Sequence, residues 1–185
     1  MKLKRLVRYQ MDISGKWADL SAALMGAAFF MQALFFFLIR DISACSGGEI
    51  TFRLILPLLA AAVWMQLLRV FQLRDPAVFG IVGAALCLLL AIQGFYGGNG
   101  FFAVIGLIWY LACAVAVVFV CFGYLPYRIL LFVLFLSPAV LQGFVVLGKF
   151  IIPGNYWQGL PDYAVILVHI SLACLSTMLR PVKKG

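Results

Sequence analysis

The chain has 185 residues, 66% of them hydrophobic and 11% charged, with a mean hydropathy of +1.13. Soluble domains run nearer half apolar and a quarter charged, so this composition excludes a soluble globular protein and points to an integral membrane protein. The net charge of +8 would suit a nucleic-acid binder, but in so apolar a chain the Lys and Arg surplus reads as the charge that sets orientation in a membrane.

The first 16 residues, MKLKRLVRYQMDISGK, could place Leu3, Leu6, Val7 and Met11 on one face of an interfacial helix. A basic leader that fixes topology accounts for the same residues more simply. Six apolar runs follow: Asp19–Ile39, Arg53–Leu73, Ala77–Phe95, Phe101–Phe122, Tyr127–Ile152 and Asp162–Leu179. Each is near the ~20 residues that cross a bilayer as a helix. Barrel strands would instead alternate over short segments, so the expected fold is an all-α bundle of six transmembrane helices. Residues 1–18 are the basic N-terminal segment, 19–180 the transmembrane domain, and 181–185 a short basic tail. The links RDISACSGGEITF, RDP, YGGNG, GYLPYR and PGNYWQGLPD are short and rich in Gly, Pro and Asn.

With the N-terminus inside, the inner side holds Lys2, Lys4, Arg5, Arg8, Lys16, Arg69, Arg74, Arg128, Arg180, Lys183 and Lys184. The outer side holds Arg40, Arg53 and Lys149, so the count is 11 against 3. Both termini are therefore expected in the cytoplasm, in a cell inner (plasma) membrane. The first apolar run and its leader are too long for a cleaved signal peptide. The stretch Ile42–Cys45, ISAC, looks like a lipoprotein cleavage site, but Arg40 and Asp41 interrupt the apolar core such a signal needs.

Within the first run, Ala18, Ala22 and Gly26 recur four apart, a stripe that lets another helix approach closely in lipid. They are candidate partner-docking residues for another subunit or a second copy; packing inside the bundle is the alternative. Gly80 and Ala84 repeat the pattern more weakly in the third run. Pro57 and Pro138 fall in the second and fifth runs, as in an inverted-repeat transporter, though proline kinks need no transport function.

Catalytic chemistry is sparse. HExxH, GxSxG, P-loop and Rossmann patterns are all missing, and Asp12, Asp19, Asp41, Glu49, Asp75 and Asp162 all lie at run ends or in loops. One histidine cannot hold a catalytic zinc, so no metal or cofactor is expected. Cys45, Cys87, Cys113, Cys121 and Cys174 form no CxxC, and four of them lie in apolar runs as small core residues.

The larger polar groups within the runs are Gln32, Gln66, Gln93, Gln142 and His169. At ~1.5 Å of rise per residue, Gln32 and His169 lie ~10 Å below the outer end and Gln142 and Trp109 ~12 Å below it. Gln93 lies near that end, and only Gln66 belongs to the inner half. Polar groups in hydrocarbon must turn inward and pair. His169, Gln142, Gln32, Gln93 and Trp109 are thus candidate ligand-binding residues of one cavity open to the outside. Tyr96, Asn99, Tyr156, Trp157, Gln158, Asp162 and Tyr163 could rim it, or belong to an interfacial aromatic belt. His169 itself is either an interhelical hydrogen-bonding residue, with Gln142 or Ser137 as partner, or a ligand- or pH-sensing group. Catalysis with Cys174 is a third reading, against which stands their five-residue spacing on a helix.

In its six-span layout, its length and its small-residue stripe, the chain is similar to the substrate-binding subunits of energy-coupling-factor vitamin transporters. That resemblance implies a solute-binding subunit docked through its first helix, and it transfers no binding motif. The expectation is a multi-pass, small-solute-binding or transport subunit in contact with membrane lipid and working with a protein partner. A non-catalytic structural or assembly subunit is the alternative, and a lipid-modifying enzyme the third.

Overall fold

The computed structural model describes residues 5–40, 42–97, 100–151 and 159–182, without the side chains of residues 39, 95–97, 102, 145 and 148–151. The chain is a helical membrane protein. Strand β1 (Tyr9–Met11) leads into α1 (Lys16–Leu34), which widens to a π-helical turn at Phe35–Ile39. The short α2 (Gly47–Ile50), a π-helical segment Thr51–Ile55 and α3 (Leu56–Arg69) run on as one rod. Then come α4 (Pro76–Gly97), α5 (Gly100–Cys121), α6 (Ile129–Ile151), α7 (Leu160–Met178) and strand β2 (Leu179–Pro181).

Five rods are long and apolar enough to cross a membrane: Lys16–Leu38, Gly47–Arg69, Pro76–Gly94, Ala103–Cys121 and Leu160–Met178. Helix α6 has 23 residues, and its apolar stretch among the described residues is Ile129–Phe144. The second rod begins six residues before the expected Arg53. Ser46 caps it, its Oγ accepting from the Glu49 N–H at 3.2 Å, which satisfies one of the orphan donors of the first turn.

Helix α7 is the axis of the packing. It lies along α1 on one side and α6 on the other, α1 also packs on α3, and α4 runs along α5. From Ser171 to Ser176 every α7 residue is buried. Where α4 meets α5 the backbones are close, and a Cβ on Gly80 would sit 2.8 Å from the Cys121 Cβ. A shared polar node ties α1, α3 and α7 at mid-depth. Ser21 and Ser171 place their Oγ atoms 2.8 Å apart, each hydroxyl reaches the other's carbonyl, and Trp64 Nε1 donates to Ser21 Oγ at 3.0 Å.

The N-terminal segment is not the interfacial helix that its apolar face allowed; among the described residues it forms a strand. Tyr9–Met11 pairs antiparallel with Leu179–Pro181, and Tyr9 and Met11 are buried in the core. The segment crosses one end of the bundle as a strap. Leu6 and Val7 donate to the Gly123 carbonyl, Met11 donates to that of Arg74, and Tyr9 Oη donates to that of Pro126 at 2.6 Å. Gly123 has φ +79°, and a Cβ there would lie 1.9 Å from the Val7 carbonyl oxygen, so only glycine fits. Because β1 and β2 pair, the chain enters α1 and leaves α7 at the same end, called basal below.

Candidate functional site

The opposite end holds a cavity of about 380 Å³ to which every rod contributes. Gln32 comes from α1, Arg53 from the π-helical segment, Gln93 from α4, Tyr110 from α5, Gln142 from α6, and Asp162 with Val165 from α7. Three of the five candidate ligand-binding residues, Gln32, Gln93 and Gln142, therefore share one wall system. A narrower apolar crevice continues from it between α1, α3, α4 and α7, sharing Gln32, Leu90, Gln93 and Val165 with the cavity.

Local chemistry explains how each side chain is held. Pro57 has no N–H to give to the carbonyl four residues back, which is that of Arg53. Gln32 Nε2 donates to that carbonyl at 2.7 Å, so one amide both repairs the proline defect and sits on the cavity wall. The Arg53 guanidinium bonds Glu49 at 3.0 Å, and Glu49 also takes Arg40 at 3.3 Å, a small ion network at the mouth. Gln142 Nε2 lies 3.4 Å from Asp162 Oδ1, the long end of hydrogen-bond range. The half-buried Gln93 amide has no hydrogen-bond partner among the described residues, although it lines the cavity.

His169 stands behind this wall, fully buried. Its Nδ1 is 2.7 Å from the Val165 carbonyl, which can only accept, so Nδ1 carries a proton. Its Nε2 is 3.0 Å from Tyr110 Oη, and the hydroxyl donates to the neutral ring. Both ring nitrogens are thus engaged, leaving neither to activate Cys174. The expected partners Gln142 and Ser137 are not the ones used. Through Tyr110, His169 supports the cavity without lining it.

Two expectations need correction. Trp109 does not line the cavity and is 38% exposed on the outer face of α5; its neighbour Tyr110 occupies the inward position. The stripe Ala18, Ala22 and Gly26 is not a free docking face. Ala18 and Ala22 are 1% and 6% exposed within the core, and a Cβ on Gly26 would come 3.1 Å from Met65 Sδ of α3. The small residues bring α1 against its own neighbours. The rim residues Asn99, Tyr156, Trp157 and Gln158, and the Tyr96 side chain, lie outside the described residues.

No protein-family model matches this chain, and no curated protein or solved structure matches it either. The site therefore rests on its own chemistry. Among the described residues no three His, Cys, Asp or Glu side chains gather to hold a metal. The cavity instead offers amides, one phenol, one guanidinium and one carboxylate around an apolar floor. That set can donate and accept hydrogen bonds to a polar solute, and among the lining residues no nucleophile is paired with a base.

Sequence reasoning missed Tyr110 and Arg53, and named Asp162 only as a possible rim residue. A phenol in mid-span at the depth of the sole histidine was a usable signal for Tyr110, since buried hydroxyls need partners. Arg53 and Asp162 stood at expected run ends, where charge is ordinary.

Proposed function

We propose that this chain is a six-span protein of the cell inner (plasma) membrane, with both termini cytoplasmic, that binds a small polar solute in its outward cavity. It serves as the binding or transport subunit of a system with partner proteins. The convergence of Gln32, Gln93, Gln142 and Tyr110 on one cavity of about 380 Å³ carries this reading. Small-molecule sites are typically of this size, mostly apolar and set with a few converging polar groups. A half-buried Gln93 amide without a hydrogen-bond partner among the described residues favours a ligand over a purely structural role.

The pairing of β1 with β2 supports an even number of crossings, and α6 supplies the sixth. The charges support the orientation: Arg5, Arg8, Lys16, Arg69, Arg74, Arg128 and Arg180 are basal, against Arg40 and Arg53 at the other end.

Native mass spectrometry of the gently extracted protein tests the proposal. The wild type should retain a small molecule that Gln93→Leu and Gln142→Ala lose while folded yield stays level. A stoichiometric protein partner with no small molecule would replace this reading with that of an assembly subunit.

A further inference from the structure

The basal end carries a second cavity, of about 640 Å³, that the outward site does not explain. Arg5 and Arg8 approach it from the N-terminal strap and Arg74 from the α3–α4 link. None of the three guanidiniums makes an ion pair among the described residues, whereas Arg69 and Arg180 at the same end pair with Asp19 and Asp12. The one carboxylate on the cavity, Asp75, is engaged: its Oδ1 accepts from the Ala77 N–H in the first turn of α4. Phe122 and Cys121 supply an apolar wall.

A surplus of basal cations alone follows from membrane topology, but topology requires neither convergence nor a fixed frame. Here the frame is fixed. Val182 donates to the Arg8 carbonyl at 2.8 Å, Met11 donates to the Arg74 carbonyl at 3.1 Å, and the strap sits on Gly123, where no side chain fits. Three forked donors, two of them (Arg8 and Arg74) on hydrogen-bonded backbone and Arg5 next to the bonded Leu6, offer the N–H groups that phosphate oxygens accept.

We propose that Arg5, Arg8 and Arg74 form a binding site for a phosphate-bearing anion. A phospholipid headgroup from the adjoining leaflet and a soluble phosphate offer the same chemistry. With three cations lining one cavity against one engaged carboxylate, the site favours the anion by charge.

The full chain in phosphatidylcholine nanodiscs, with and without phosphatidylglycerol, provides the test. Retained phosphatidylglycerol is counted by native mass spectrometry, and inorganic phosphate is titrated separately with thermal shift as the readout. Arg74→Gln and the double variant Arg5→Gln/Arg8→Gln should each weaken the bound probe about tenfold, the size of a lost charge-assisted contact. Lys16→Gln, a basal cation outside the cavity, should leave it unchanged. Arg74→Gln keeps the backbone carbonyl that holds Met11, so the strap should stay docked. Retention of phosphatidylglycerol alone assigns a lipid headgroup, and stabilisation by inorganic phosphate alone assigns a soluble ligand. The proposal is overturned if neither probe binds, or if Lys16→Gln weakens binding as much as Arg74→Gln, which would mean diffuse charge.

Discussion

Gln32 Nε2 donates to the backbone carbonyl of Arg53 at 2.7 Å, across the interface between α1 and the π-helical segment above α3. Pro57, four residues on, has no N–H to give that carbonyl. Gln32→Leu should therefore destabilise the protein by about 1 kcal/mol in a denaturation titration. In a Pro57→Ala background, which restores the N–H, the same change should cost clearly less. Equal costs in both backgrounds would separate Gln32 from the proline.

The Tyr110–His169 bond makes a separate prediction. Tyr110→Phe should lower stability by about 1 kcal/mol, in line with interhelical hydrogen bonds in membranes. Nitrogen-15 NMR of His169 should report the neutral tautomer protonated at Nδ1. If Tyr110→Phe leaves stability level but abolishes solute retention, the hydroxyl serves the ligand and not the histidine.

At the serine node the order of effects is the test. Ser21→Ala removes the acceptor of Trp64 Nε1–H and the partner of Ser171 together, so it should cost about 1–3 kcal/mol. Ser171→Ala leaves Trp64 bonded and should cost less. Thermal unfolding of the two variants side by side decides the order.

The strap should loosen in acid. The Ser14 hydroxyl, and then the Arg180 guanidinium, hold the Asp12 carboxyl below its ordinary value of 3.8. A carboxyl with a lowered folded-state pKa contributes stability that is present above the unfolded value and lost as pH falls through the folded one. Hydrogen exchange at the Asp12 and Val182 amides should accelerate as pH drops below about 4, after correction for intrinsic rates. Asp12→Asn should remove that dependence.

Much of the bundle is legible in the sequence because length and hydropathy suffice to mark a rod that crosses lipid. Depth is legible too, since rise per residue is constant, and it puts Gln32, Gln93 and Gln142 in the outer half. Facing is not. Lipid and core are both apolar, so the hydropathy of α5 does not set Tyr110 inward and Trp109 outward; only the phenol's need for a partner at the depth of His169 points that way. For the same reason Ala18 and Ala22 look equally suited to a foreign helix and to their own bundle. The pairing of Tyr9–Met11 with Leu179–Pro181 joins two three-residue strands nearly the whole chain apart, and no local periodicity announces it.

Strand β2 is made after every membrane-crossing rod, yet its partner β1 is made before all of them. The joint can therefore close only after α7 has been made. Until then Tyr9 and Met11, buried in the folded bundle, lack the strand that pairs with them, so the two ends of the described chain become ordered together.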